Sequence, residues 1–175
     1  GIAKHPTIPS MGEVFGIKPA AIATYPMYRG LASLVGMSIL KNKEETIASE
    51  FSTLEENWSL YDFFYLHIKK TDSYGEDGNY ESKKKIIEEV DAKIPRLLAL
   101  KPSVIVVTCD HSTPAKMKAH SWHPCPVLLW APETCQPDNN TKFGERICMN
   151  GGLGIMHHTE IMPLMLAHAL KLQKY

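Results

Sequence analysis

Three polar clusters, each beside an apolar run, carry the residues able to do chemistry: Asp72 with Glu76, Asp110 with His111, and His120 with His123. Asp110-His111 follows Val104-Ile105-Val106-Val107 and offers a hard carboxylate oxygen beside an imidazole nitrogen, a donor set that suits Zn or Mn. The same dipeptide is also the composition of an Asx turn followed by a surface histidine. Asp72 and Glu76 are four apart, so at the opening of a helix both carboxylates converge on one point. With Gly75 and Gly78 beside them, they equally describe a solvated acidic turn. Two carboxylates without a thiolate favour Mn or Mg over a structural zinc. His120 and His123 form a His-x-x-His pair ahead of the next apolar run. That spacing fits either two ligands or one packed and one exposed ring.

These clusters need a scaffold, and the chain alternates short apolar runs with amphipathic stretches, the pattern of strands joined by helices. Ala20–Ala23 reads as a strand. Met27 to Val35 reads as a helix entered after Pro26 and stopped by Gly36. Glu44 to Trp58 places Ile47, Phe51, Leu54 and Trp58 on one face. The run Asp62 to Ile68 is continuous enough to predict a central strand covered on both faces, with a polar turn from Lys69 to Asn79. A helix is expected from about Tyr80 to Leu100, bent or divided by Pro95. Strands follow at Val104–Val107 and Pro126–Trp130, and a last helix at Thr159–Lys171 with Thr159 as N-cap. Ser10 is expected to N-cap Met11–Phe15. The fold class is α/β, with a mostly parallel sheet and helices on both faces. In such sheets ligands gather at the carboxyl ends of the strands, where two of the three clusters fall.

The chain has 175 residues, 44% of them hydrophobic, enough for one domain with its own core. Its 19 Lys and Arg balance 19 Asp and Glu, so no long-range field draws in nucleic acid or anionic lipid. No stretch reaches the roughly 20 apolar residues of a membrane span, and the opening residues lack signal-peptide character. A cytoplasmic protein is expected, with no nucleic-acid or membrane partner. Cys109, Cys125, Cys135 and Cys148 show no C-x-x-C pair and read as free thiols. Residues 1–9, with two prolines, read as a linker from a missing amino-terminal region, and residues 10–175 as the domain.

At the three clusters the sequence resembles the alkaline phosphatase superfamily, and within it the archaeal-type cofactor-independent (2,3-bisphosphoglycerate-independent) phosphoglycerate mutases. The residues that carry the resemblance are Asp62 through Gly78, Thr108-Cys109-Asp110-His111-Ser112-Thr113-Pro114, His120-Ser121-Trp122-His123-Pro124, and Gly151-Gly152-Leu153-Gly154. The likeness corresponds to the carboxyl-terminal part of such an enzyme. It implies two divalent ions (Mn, Mg or Zn): Asp72, His120 and Glu76 hold one, and Asp110 and His111 hold the other, with His123 either supporting a ligand from behind or serving as an alternative one. It implies a phosphoserine route between 3- and 2-phosphoglycerate, with the nucleophilic Ser outside this chain. Lys70, Arg29 and Arg146 are the candidates for neutralising the substrate; Arg can grip a carboxylate or phosphate bidentately, and Lys acts as a point charge. Other readings are a phosphohydrolase or phosphonopyruvate-acting enzyme of the same superfamily, and a non-catalytic remnant.

Overall fold

The computed structural model describes residues 7–172. The first six residues of the expected linker and the last three of the chain lie outside the described residues. The chain divides into two compact units, one running up to Ser73 and including Glu81–Leu100, the other comprising Tyr74–Tyr80 and the chain from Lys101 onward.

In the first unit, Pro19–Ala23 (β1) is buried at every position. It lies between Ser38–Leu40 (β2) and Phe63–His67 (β3) and is parallel to both, with Ala21 opposite Ile39 and Tyr65. The expected strand over Asp62–Ile68 is present but sits at an edge of this sheet, and its five residues are only half-buried. The small residues of β1 suit the covered middle position, whereas the aromatic residues of β3 extend into satellite packing. Trp58 stacks on Phe64 at 5.3 Å and Tyr61 meets it edge-on at 5.9 Å. An apolar run reports burial of its side chains; strand order is decided by the crossovers.

Those crossovers are helices. Pro26–Leu34 (α2) starts on its proline, and Ile47–Asn57 (α3) starts at Thr46, whose hydroxyl accepts from the Ser49 amide at 3.2 Å. α3 buries Ile47, Phe51 and Leu54, the expected stripe, while Trp58 opens a short 3-10 turn instead. Ser10 caps Met11–Phe15 (α1) in a reciprocal box: its hydroxyl accepts from the Glu13 amide, and the Glu13 carboxylate accepts from the Ser10 amide.

The expected polar turn after β3 is a helix, Lys70–Glu76 (α4). Asp72 in its first turn complements the helix dipole. At its end the Gly78 amide donates to the Gly75 carbonyl and the Asn79 amide to that of Tyr74, a Schellman closure with Gly78 at φ 73°. The same Asp, Ser and Gly residues that suggest a turn therefore serve as helix start and stop. Beyond it lie Tyr80–Asp91 (α5) and Ile94–Ala99 (α6), divided as expected, with Pro95 in the first turn of α6. Arg96 clamps α6 to α3 through two bonds to the Glu55 carboxylate, at 2.7 and 2.6 Å.

In the second unit, Ile105–Val107 (β4) pairs with Leu128–Trp130 (β5), and this pair is antiparallel. The parallel arrangement expected of the chain thus belongs to β1, β2 and β3. Glu145–Cys148 (α7) and Ile161–His168 (α8) complete the unit. Thr159 does not cap α8. It lies inside a 3-10 turn, His158–Glu160, where the Glu160 carboxylate accepts from the His157 amide at 2.7 Å. Pro163 is the third residue of α8, where its missing amide proton breaks no helical bond.

Candidate metal centre

In the second unit, the loop after β4 and the segment before β5 are joined by a single bridge between Ser112 and Ser121, with the Ser121 amide donating to the Ser112 carbonyl at 2.9 Å. This bridge brings His111 and His120, from different loops, into contact, with ring centroids 3.9 Å apart and planes tilted by 34°. Glu76, the last residue of α4, stands at the same place, its Oε1 3.5 Å from His120 Nε2. Asp110 Oδ2 is 3.5 Å from His111 Nε2. Two nitrogen–oxygen pairs therefore recur at one separation. Donors about 2.1 Å from a tetrahedrally bound ion lie roughly 3.4 Å from each other, so both pairs have the spacing of adjacent ligands. The rings and carboxylates are partly exposed, which leaves an entry path: His111 is 29% exposed and His120 55%.

Two residues outside the expected ligand set shape this geometry. Thr113 is buried, 4% exposed, and its hydroxyl lies 3.1 Å from His111 Nδ1, which orients the ring and leaves Nε2 toward Asp110. Gly78 lets the loop of His120 approach α4, because a Cβ there would collide with the side chain of Lys118. The Thr two places after His111 and the Gly at position 78 were visible as residue types. Their partners were not.

Asp72 sits on α4 one turn before Glu76 and forms an ion pair with Lys69. His123 has its Nδ1 on the Ser121 hydroxyl at 2.8 Å and its ring stacked on Trp122. Lys70 lines a cleft of the first unit with Thr24, Ile68 and the buried Glu50. Arg29 is half-buried on α2, and Arg146 is exposed on α7. The Cys109 thiol, next to Asp110, is pushed up by burial and then by its hydrogen bond with Cys125. It stays neutral, and the donor set of the centre is nitrogen and oxygen.

A superfamily model for metalloenzymes matches residues 2–168. This chain belongs to the metalloenzyme superfamily. It is 54% identical over its whole length to a probable 2,3-bisphosphoglycerate-independent phosphoglycerate mutase of Thermosipho africanus and 53% identical to one of Thermotoga maritima. The chain spans 43% of the length of each of these curated relatives. Among solved structures, a protein of Pyrococcus horikoshii superposes with a TM-score of 0.92 at 29% identity, covering 98% of this chain and 47% of that one. A cofactor-independent phosphoglycerate mutase from Thermoplasma acidophilum superposes with a TM-score of 0.73 at 25% identity, covering 93% and 40%. The α/β fold with its parallel sheet is that of the superfamily, and divalent-metal binding is the property its members share by name.

Proposed function

We propose that this chain is the carboxyl-terminal part of a metal-dependent phosphoglycerate mutase that interconverts 3- and 2-phosphoglycerate through a phosphoserine, the serine lying outside the chain. The observation that carries the reading is the pair of nitrogen–oxygen couples, Glu76 with His120 and Asp110 with His111, at ligand spacing around two adjoining rings. Relatives that bear the mutase name support the substrate class.

In the proposed ligand set, Asp72, Glu76 and His120 hold one divalent ion, and Asp110 and His111 hold the other, with His123 as an alternative ligand. Nitrogen and oxygen donors of this kind suit Mn, and also Mg or Zn. Bound there, such ions supply Lewis acidity, neutralising phosphoryl oxygens and lowering the pKa of an attacking hydroxyl. The chain's own residues do the positioning. Thr113 holds His111 by Nδ1, and the Ser112–Ser121 bridge holds the two histidine loops together. Arg29 and Arg146 are proposed to grip the substrate's carboxylate or phosphate, and Lys70 to add positive charge near α4. The setting is proposed to be cytoplasmic, with a small anionic substrate rather than nucleic acid or membrane as partner.

The test is conversion of 3- to 2-phosphoglycerate with added Mn, by this chain alone and by a chain extended to the length of its relatives. The extended protein is expected to turn over, and His120→Ala to lower its rate by about a hundredfold or more. The chain alone is expected to retain Mn after dialysis without turnover. Release of inorganic phosphate in place of isomerisation would replace the mutase with a phosphohydrolase, and a protein that holds no metal would end the proposal.

A further inference from the structure

The parallel sheet of the first unit changes winding direction once. From β1 the chain crosses through α2 to β2 on one side, and from there through α3 to β3 on the other. Where the winding reverses, the loops leaving neighbouring strands part, and the crevice at their carboxyl ends is where open α/β sheets hold ligands. A cleft lies there in this chain. Thr24 lines it after β1, Ile68 and Lys70 line it after β3, and the start of α3 supplies Thr46, Ile47 and Glu50.

Glu50 is 3% exposed and lines the cleft, so the little surface it keeps faces that space. Lys70 bears on it through its charge, and no hydrogen bond or ion pair joins the two among the described residues. With its carboxyl raised by burial to about 7, Glu50 is an acid with a proton to share near neutral pH. α3 has eleven residues; the Thr46 hydroxyl takes the Ser49 amide, and the Ile47 and Ala48 amides are the donors that a helix start leaves over. An ammonium group and a helix N-terminus call for an anion. The carboxyl beside them selects an anion that itself exchanges a proton near pH 7. A phosphate monoester does so, with its second pKa about 6, whereas sulfate does not.

We infer that this cleft is a phosphoryl-binding site in which one proton is held between Glu50 and a phosphate oxygen, with Lys70 and the start of α3 balancing the remaining charge. Naming the ester as phosphoglycerate rests on the mutase reading; the site itself is built by the first unit alone. The other charged groups around Glu50 are accounted for. Glu89 on α5 adds to the rise of its carboxyl, and Glu45 stands at the cleft ahead of α3. Lys69 is paired with Asp72, Arg96 on α6 is held by Glu55, and His67 on β3 is stacked on Tyr28.

The test is calorimetric titration of the full chain with inorganic phosphate, in excess chelator so that the histidine centre holds no metal. One phosphate per chain is expected, and His120→Ala should bind it equally well. Because the complex holds a proton that its free partners lose in alkali, affinity is expected to fall about five- to tenfold between pH 7.5 and 8.5. Glu50→Gln should still bind, through its amide, with affinity nearly constant over that range. Lys70→Ala should weaken binding about tenfold at both pH values. Sulfate should bind the wild-type chain more weakly than phosphate does. Phosphate that binds only after Mn is added would overturn this site and leave the mutase reading standing. Absence of binding at millimolar phosphate, or a pH dependence that Glu50→Gln leaves unchanged, would overturn it as well.

Discussion

Glu50 shows how much a single ionisable side chain can weigh. It stands on α3 among Ile47, Phe51 and Leu54 and is 3% exposed. Burial pushes its carboxyl up to about 7 from an ordinary 4.5; Lys70 pulls the other way and Glu89 adds to the rise. Folded Glu50 therefore binds its proton more tightly than the unfolded chain does. Its contribution to stability is fully present below about pH 4.5 and is lost as the pH rises through 7. Glu50→Gln is expected to raise stability at pH 8 by up to about 3 kcal/mol and to change little near pH 4. Urea unfolding at the two pH values checks this, and equal midpoints at pH 8 would count against it. The position itself was legible in the sequence as a Glu on an apolar stripe, three residues after Ile47. Its near-complete burial was not.

At the scale of elements, α4 and its stop decide whether the two carboxylates of the proposed centre are presented together. Gly78 holds φ 73° and abuts Lys118, so two separate costs fall on any side chain placed there. Gly78→Ala is expected to destabilise the protein by roughly 1–3 kcal/mol. Lys118→Ala in the same chain should recover only the steric share, because the left-handed backbone remains. Chemical denaturation of the single and double variants separates the two shares; full recovery would mean that the backbone strain is negligible. The sequence announces Gly78 as a bend, and the Schellman bonds from Gly78 and Asn79 turn that bend into a helix end. Pro95 and the Ser10 cap were readable in advance for a related reason: each acts within a turn of its own position.

At the scale of the molecule, the proposed centre draws its ligands from α4, from the loop after β4 and from the segment before β5. A cation bound by the folded chain and not by the unfolded one stabilises it by mass action. Free Mn at a hundred times its Kd is expected to add about 2.7 kcal/mol, and a chelator to remove it. Thermal unfolding with Mn, and with excess chelator, is the measurement. His111→Ala should reduce the difference between the two curves to the share of the ion held by Asp72, Glu76 and His120, and a difference unchanged by both His111→Ala and His120→Ala would place the ions elsewhere. The chain's zero formal charge bears on this as well, since with no net field to gather cations, retention of Mn depends on the local donor set.

The sequence alone determined what is local: the α/β alternation, the helix cap at Ser10, the break at Pro95, and the three clusters whose residue types name nitrogen–oxygen chemistry. Periodicity, caps and turn residues act over a few positions, so they are written in consecutive letters. The tertiary structure decided that β1 rather than β3 lies in the middle of the parallel sheet, that β4 and β5 run antiparallel, and that His120 meets Glu76 while His123 turns to Ser121 and Trp122. These outcomes join residues far apart in the chain. They follow from which surfaces pack, a competition among the whole set of side chains that no single window of sequence contains.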